Sequence, residues 1–202
     1  NEEIATVNED GIVTGVKEGT AKGTITSSNG FSIELAVVVE KNVAKVVAGD
    51  AHSVALKEDG TVWAWGYQGE GRLGNGLATT ATIVDPVQVK ISEEEYLTDV
   101  IDVAAGPNYT VALRRDGTVW TWGYNISYQL GDGTNVDKSY ATQVKTNANE
   151  YLGDIVDIAA GSVEYASRCS DGAIGYAANV VALKSDGTVW TWGSQQNRNC
   201  RW

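Results

Sequence analysis

Few side chains of this sequence could do chemistry, and they do not form the pattern that a reaction requires. His52 is the only histidine among 202 residues. Nucleophilic catalysis needs a base and an orienting group beside the nucleophile, and no such set converges in the sequence. A lone histidine in a strand is typical of a hydrogen-bonded packing residue. We therefore predict no catalytic residue and expect that the protein is not an enzyme.

Metal ligands are equally sparse. Cys169 and Cys200 lack the C-x-x-C spacing of a zinc site. A disulfide between them is the sharper prediction: it would close a loop of 31 positions (200 − 169) and stabilise the fold by about 3 to 4 kcal/mol. Two unpaired buried thiols are the alternative.

Asp132, Asn135 and Asp137 are spaced somewhat like calcium ligands, but the EF-hand glycine and final glutamate are missing. We predict a solvated turn there, with no metal and no cofactor.

The charge balance limits the classes of partner. The formal net charge is −11 and the pI is near 4.5, and Arg114–Arg115 is the only basic pair. Such a chain repels phosphate backbones and anionic membrane surfaces. The longest apolar run, AVVV at 36–39, is far shorter than the roughly 20 residues of a membrane span. We expect no nucleic-acid partner and no membrane insertion.

The residues that recur are structural ones. DGTVWTWG stands at 116–123 and again at 186–193, and DGTVWAWG at 59–66 differs in one residue. In each unit a Val-Ala-Leu segment, an Asp-Gly pair and a TVWxW segment indicate two short strands around a tight turn, with glycine supplying a positive φ. The predicted turn residues are Asp59, Gly60, Asp116, Gly117, Asp186 and Gly187.

The second strand of each hairpin has two apolar faces. Trp63 and Trp65 point to one side while Val62 and Ala64 point to the other, so both faces must be covered. Sheets stacked around an axis achieve this, with each indole burying about 200 Å² between neighbours. The predicted blade-packing residues are Trp63, Trp65, Trp120, Trp122, Trp190 and Trp192.

The repeat period fixes the architecture. Equivalent glycines at 49, 106 and 161 are separated by 57 and 55 residues. The units resemble the regulator-of-chromosome-condensation repeats, whose pattern is AGxxHTxALxxDGxVxxWGxNxxGQLG. The resemblance covers about 43–202 and implies a β-propeller, seven-bladed in well-known members, with roughly four strands per blade. It predicts an all-β fold of about three blades, the third truncated; a closed seven-bladed ring would need about twice this length.

Two positions depart from the family pattern. His52 is replaced by Tyr109 and Asn179 in the later units, so the role of this histidine is not uniform. The third unit also carries a 15-residue insertion, since Gly161 to Val181 spans 20 positions where Gly106 to Val111 spans five. The blade does not require this segment, at 162–179. Extra loops on a rigid scaffold often carry recognition, although a loop merely stapled by a Cys169–Cys200 disulfide is an equal alternative.

Residues 1–40 differ in composition from the repeats that follow. Their β-branched residues are interrupted by Asp-Gly, Gly-Thr-Ala and Asn-Gly, which indicates four short strands. The segment IATVNEDGIVTGVKEGTAKGTIT resembles the C-terminal half of a bacterial Ig-like domain of group 2. An Ig-like sandwich needs two sheets, so this partial domain is expected to be incomplete alone. The chain starts with Asn and lacks Met, so we expect a processed or excerpted chain whose missing start could have carried an export signal.

These observations favour a non-catalytic extracellular or bacterial cell-surface interaction or adhesion protein, in which propeller repeats form a binding scaffold. The ligand would be a protein or a surface glycan. A second hypothesis is a structural assembly or filament subunit, a homo-oligomer whose open sheet edges are completed by neighbouring copies through strand addition. A third, implied by the family resemblance, is guanine-nucleotide exchange on a small GTPase.

Overall fold

A computed structural model describes residues 5–7, 13–15, 19–26, 32–39, 42–168 and 174–193, with 162–168 and 174–177 described through the backbone. The chain divides into two units, Asn1–Asn42 and Val43–Trp202. In the first unit, β1 (Ala5–Val7) pairs with β2 (Val13–Gly15), and β3 (Gly19–Thr26) pairs with β4 (Ser32–Val39), both antiparallel.

The described part of the second unit contains three antiparallel sheets of three or four strands, which we call blades 1, 2 and 3. Blade 1 has β5 (Val43–Ala48), β6 (His52–Lys57), β7 (Val62–Tyr67) and β8 (Thr82–Gln88) in sequential order. Blade 2 repeats this order with β9 (Val100–Ala105), β10 (Tyr109–Arg114), β11 (Val119–Gly123) and β12 (Lys138–Gln143). A small hairpin follows, β13 (Lys145–Asn147) with β14 (Glu150–Tyr151), and blade 3 has β15 (Ile155–Arg168), β16 (Ile174–Lys184) and β17 (Val189–Gly193).

The three repeated hairpins share one register. Ala55 lies opposite Trp63, Ala112 opposite Trp120, and Ala182 opposite Trp190. This identity follows from the shared Asp-Gly turn, because turn type and length fix the pairing of the flanking strands. The expectation of an all-β fold is confirmed: within the described residues the only helical segment is one short 3-10 turn, Gly69–Gly71.

The first strands of the blades lie along one edge of the stack. β5 contacts β9, and β9 contacts β15; Lys45 on β5 forms an ion pair with Asp102 on β9 at 2.6 Å. Alternate connections of an antiparallel sheet emerge at opposite ends. We call the end that holds Gly49, Gly106 and the Arg168–Ile174 pair the upper side, and the end that holds the Asp-Gly turns the lower side.

Two hydrophobic cores separate the blades. The first, between blades 1 and 2, takes Val54 and Val62 from blade 1 and Ala112 and Trp122 from blade 2. The second, between blades 2 and 3, is built from the following residues: Tyr109, Val111, Leu113, Val119, Leu130, Val144, Leu152, Ile155, Ile158, Ala178, Val180 and Ala182. Alternate residues of β10 and β11 thus enter different cores, which covers both faces of blade 2.

Candidate functional site: the blade junctions and the upper hairpin

The Asp-Gly turns are closed by the aspartate side chains. Asp59 Oδ1 accepts hydrogen bonds from the backbone N–H and the hydroxyl of Thr61, at 2.9 and 2.6 Å. The same pair of bonds forms at Asp116 and at Asp186. In blade 3, the hydrogen bonds from Thr188 hold the pKa of Asp186 below its ordinary value. These carboxylates therefore fix turns.

The turns of blades 1 and 2 also reach the following blade. The carbonyl of Gly60 accepts the N–H of Val100 at 3.1 Å, and the carbonyl of Gly117 accepts the N–H of Ile155 at 3.0 Å. Both glycines have φ of +80°, and a Cβ on either would lie 3.1 Å from the backbone of the residue just before the next blade's first strand, Asp99 or Asp154. Gly187 has a φ of +85° with open space around it. The turn glycine thus serves the hairpin and, in blades 1 and 2, the junction.

The second tryptophan of blades 2 and 3 is anchored to the preceding blade. The indole N–H of Trp122 donates to the carbonyl of Arg72 at 3.1 Å, and that of Trp192 donates to the carbonyl of Gln129 at 3.0 Å. The ring of Trp122 lies against Gly74, where a Cβ would approach it to 2.9 Å. A Cβ on Gly131 would likewise approach the ring of Trp192 to 2.7 Å.

The Leu-Gly pairs at 73–74 and 130–131 are therefore seats for the next blade's tryptophan as well as tight turns. Gly74 and Gly131 have φ of +65° and +62°, and Leu73 and Leu130 are fully buried. From the sequence alone, the glycine-rich LGNG segment at 73 and LGDG segment at 130 indicate only tight turns. Their recurrence at a constant distance after Trp-Gly was the available signal.

The six tryptophans do not have equal environments. Trp122 is fully buried, Trp63, Trp65, Trp120 and Trp192 are partly buried, and Trp190 is 39% exposed. Trp63 and Trp120 each donate their indole N–H at 3.1 Å to the threonine two residues before them. The Trp190 indole makes no hydrogen bond to another described residue.

His52 and Tyr109 are equivalent clamps on the upper side. His52 Nε2 lies 3.0 Å from the Thr110 hydroxyl of blade 2. Tyr109 donates its hydroxyl to the carbonyls of Gly161 and Asn179 in blade 3, at 2.9 and 3.0 Å. Sequence reasoning identifies the substitution at this position but not the contact to the next blade that both side chains make.

Burial governs the protonation of the His52 clamp. Burial, with a smaller contribution from the neighbouring Arg72 guanidinium, lowers the pKa of His52 to about 4. The imidazole is therefore neutral near pH 7. Its Nδ1 has no hydrogen-bond partner among the described residues, and its ring packs against Gly49. These features fit a packing residue.

Arg72 fastens the upper loops of blades 1 and 2 together. Its guanidinium donates to the carbonyl of Gly69 and to the side-chain oxygen of Asn108, each at 3.0 Å, and pairs with Glu70. The side chain is almost fully buried. Its hydrogen bonds are therefore directed within the protein, where they stabilise the junction.

The loop 132–137 is closed by an amide. Asn125 Nδ2 donates to Asp132 Oδ1 and to the carbonyls of Thr134 and Val136, at 3.2, 2.9 and 3.1 Å. Asp132 also pairs with Lys138 at 3.2 Å. These bonds close the loop through side-chain and backbone groups of the protein. Within the described ranges, no group of three His, Cys, Asp or Glu residues could hold a metal ion.

The insertion in blade 3 lengthens a hairpin. Sequence reasoning suggests an extra loop at 162–179, whereas β15 and β16 continue their antiparallel pairing from Gly161–Asn179 up to Arg168–Ile174. The paired strands extend above the position where the other blades turn. Cys169 and Cys200, the predicted disulfide, lie outside the described residues.

None of the helical segments in the described part of the chain is long and apolar enough to cross a membrane.

Two family models match this architecture. The first, for the regulator of chromosome condensation (RCC1) repeat, matches residues 59–113 and 116–163, and a second model of the same repeat matches 43–72 and 100–129. The chain is 31% identical over 154 residues to the mouse E3 ubiquitin-protein ligase HERC2, which covers 76% of this chain and 3% of that protein. It is 37% identical over 97 residues to the Danio rerio protein RCC2 homolog, covering 47% of this chain and 19% of that protein.

Solved structures share the fold. Human WBSCR16 superposes with a TM-score of 0.55 at 21% identity, covering 79% of this chain and 35% of that one. The structure of yeast RCC1 (Prp20) bound to Kap60 superposes with a TM-score of 0.54 at 22% identity, covering 86% of this chain and 37% of that one. This chain therefore spans little more than a third of those structures and far less of the curated relatives. The fold is a partial β-propeller of three blades.

Proposed function

Since this chain belongs to the regulator of chromosome condensation (RCC1) repeat family, we propose that it is a non-catalytic interaction protein whose stacked blades form a rigid base for a ligand-contacting hairpin. The proposal combines the propeller fold with the polar side chains described above, which are engaged in holding turns, loops and junctions. We assign ligand contact to the β15–β16 extension, which rises above the blades.

The single observation that carries the proposal is the anchoring of this hairpin. Tyr109 of blade 2 donates its hydroxyl to Gly161 and Asn179, which face each other at the base of the extension. Tyr109 is itself buried in the second core. A hairpin fixed at its base loses less conformational entropy on binding than a free loop, which favours affinity.

The partner is proposed to be a protein or a surface glycan. The crystal structure of the Saccharomyces cerevisiae relative Prp20p is described together with its binding to Gsp1p and histones, which supports protein binding on this fold. For this chain we propose an extracellular or bacterial cell-surface setting, because residues 1–40 resemble half of a bacterial Ig-like domain of group 2. The net charge of −11 disfavours a nucleic-acid partner.

A hairpin-shortening variant tests the proposal. Residues 162–178 are replaced by Pro-Asn, the pair that connects Gly106 to Tyr109 in blade 2, and the variant Tyr96→Ala, at a residue that is 46% exposed on the lower side, serves as a control that retains the hairpin. Binding of fluorescently labelled protein to washed bacterial cells is measured before and after protease treatment of the cells. We expect the shortened variant to lose at least about tenfold in apparent affinity and Tyr96→Ala to bind like the natural chain. Equal binding by the shortened variant contradicts the proposal.

A structural assembly is the second candidate, favoured by the open face of blade 3. Val189 and Leu183 are 61% and 36% exposed, whereas their equivalents in blade 2 lie in a core. Neighbouring copies could cover this face or pair with the open edges. Light scattering at micromolar concentration should then show oligomers that Val189→Lys disperses; a strict monomer removes this candidate.

Guanine-nucleotide exchange is a third candidate, resting on the likeness to yeast RCC1. Accelerated nucleotide release from a Ran-like GTPase by the natural chain, abolished in the hairpin-shortened variant, would favour exchange activity over a passive scaffold.

A further inference from the structure

A groove lies on the lower side of the junction between blades 2 and 3. It is open to solvent and has a volume of about 590 Å³. The side chains important here are Tyr151, Trp190, Asn147, Glu150, Asp154 and Lys184. The groove is formed by the β13–β14 hairpin and the Asp-Gly end of blade 3, so it is on the opposite side from the proposed upper hairpin.

The equivalent position at the junction of blades 1 and 2 is filled. There Ile91 and Trp120 pack against the first core. Arg114 donates its Nε–H to the carbonyl of Thr98 at 2.9 Å and lies 5.9 Å from the centroid of the Trp120 ring. This arginine links the linker loop to the indole.

Three sequence differences distinguish the second junction from the first. Thr146 replaces Ile91, Gly153 replaces Thr98, and Lys184 replaces Arg114. A Cβ at Gly153 would have nothing within 4 Å, whereas Thr98 carries an exposed side chain at the same place. A lysine also lacks the planar fork with which arginine bridges a carbonyl and a ring.

The opened groove exposes two aromatic rings. Trp190 is 39% exposed and Tyr151 is 57% exposed. Trp190 is absent from the residues packed against the second core, and its indole N–H makes no hydrogen bond to another described residue. Lys145 lies 5.7 Å from the Tyr151 ring centroid. Exposed rings, with a donor that has no partner within the described ranges, suit a ligand that has both apolar C–H faces and hydrogen-bonding groups.

The polar groups of the groove are nearly balanced in charge. Asp154 pairs with Lys184 at 3.6 Å, and Glu150 accepts a hydrogen bond from the Asn147 amide at 2.7 Å. Each carboxylate already has a donor and can still accept another hydrogen bond. An anionic ligand would meet a chain of net charge −11, and a cationic peptide would meet Lys184 in the groove and Lys145 beside the Tyr151 ring.

We propose that this groove binds a neutral carbohydrate. The sugar rings stack on Trp190 and Tyr151, while their hydroxyls donate to Glu150 and Asp154. The Asn147 amide and the Trp190 indole donate hydrogen bonds to oxygens of the sugar. This site is separate from the upper hairpin, so either can exist without the other.

Isothermal titration calorimetry of the full chain with hexasaccharides of glucose, N-acetylglucosamine, galactose and mannose tests the proposal. Tyr151→Ala is matched with Tyr96→Ala, because Tyr96 is 46% exposed and has Lys90 5.3 Å from its ring at the filled junction. We expect binding of at least one sugar. Tyr151→Ala should weaken it about tenfold or more, and Tyr96→Ala should change it less than about twofold.

Gly153→Thr restores the side chain of the filled junction and should also weaken sugar binding, whereas the hairpin-shortened variant should retain it. Far-UV circular dichroism verifies that each variant is folded. The proposal is overturned if none of the four sugars binds, or if Tyr151→Ala and Trp190→Ala both leave binding unchanged. It is also overturned if a lysine-arginine peptide, and no sugar, binds in a Trp190-dependent manner. Loss of cell binding in the hairpin-shortened variant with no sugar binding would leave the proposed function intact and remove this site alone.

Discussion

Blades 2 and 3 contain the identical octapeptide DGTVWTWG in two different surroundings. The hairpin register is the same in both. Val119 is nevertheless fully buried in blade 2, whereas Val189 at the same place in blade 3 is 61% exposed. The local sequence therefore determines the hairpin, and the neighbouring blade determines burial.

The junction between blades 1 and 2 and the junction between blades 2 and 3 also share their layout but differ in their side chains. Both place a turn glycine, a tryptophan and an upper clamp at equivalent positions, but the clamps are His52 in one and Tyr109 in the other. One lower junction is filled by Ile91 and Arg114 while the other is open. A common scaffold thus tolerates changes at its seams, and these changes give each junction its own chemistry.

The largest effect is expected from placing a charge in the octapeptide. Val119→Asp would bury an unpaired carboxylate in the second core and should destabilise the protein by more than about 4 kcal/mol. Val189→Asp, at an exposed site, should cost no more than about 1 kcal/mol. Urea denaturation of both variants measures the difference. Similar losses for the two substitutions would show that blade 3 does not cover blade 2.

The His52 clamp should make the first junction sensitive to acid. Because burial lowers the pKa of His52 from 6.5 to about 4, the unfolded chain binds the extra proton between these values. The stability that the protein gains from keeping His52 neutral is present above pH 6.5 and is lost as the pH falls towards 4. The loss amounts to about 3 kcal/mol of the free energy of unfolding. The measurement is the free energy of unfolding as a function of pH.

Carboxylates also titrate in this window, so the informative quantity is a difference. His52→Asn introduces the residue found at the equivalent position of blade 3 and removes the imidazole. Its stability should fall less steeply between pH 6.5 and 4 than that of the natural chain. Tyr109→Phe should leave the slope unchanged, because burial raises the pKa of Tyr109 away from this range. Parallel slopes for the natural chain and His52→Asn would contradict the assignment.

The smallest effect separates the turn glycines. Gly187→Ala should cost about 1 kcal/mol, since its φ of +85° strains an alanine but the space around it is open. Gly117→Ala should cost about 1 kcal/mol more, because its Cβ would also press on the backbone of Asp154 at 3.1 Å. Thermal unfolding of the Gly187→Ala and Gly117→Ala variants measures the difference between the two losses of stability. Equal shifts would mean that the Gly117 turn does not take part in the junction.

Much of the fold could be predicted from the sequence because its determinants are local. The Asp-Gly pairs indicate hairpins, the doubly apolar strands indicate sheets covered on both faces, and the repeat resembles a family that the comparisons confirm. The Ig-like assignment of residues 1–40 and the disulfide between Cys169 and Cys200 stay predictions.

The features that sequence reasoning missed depend on contacts between blades. Gly74 reads as a turn residue, and only the position of Trp122 reveals it as a seat. His52 and Tyr109 read as an inconsistent substitution until their partners on the next blade are known. The open groove depends on Gly153 and Lys184 together with the placement of Trp190, residues that are distant along the chain.

Hydrogen exchange of the indole N–H protons tests most directly whether the tryptophans are wedged between the blades. The proton resonances can be assigned with Trp→Phe variants and followed by nuclear magnetic resonance in deuterated buffer. Trp122 and Trp192, which donate to the carbonyls of Arg72 and Gln129, should exchange at least about tenfold more slowly than Trp190. Exchange of all three at one rate would contradict the account.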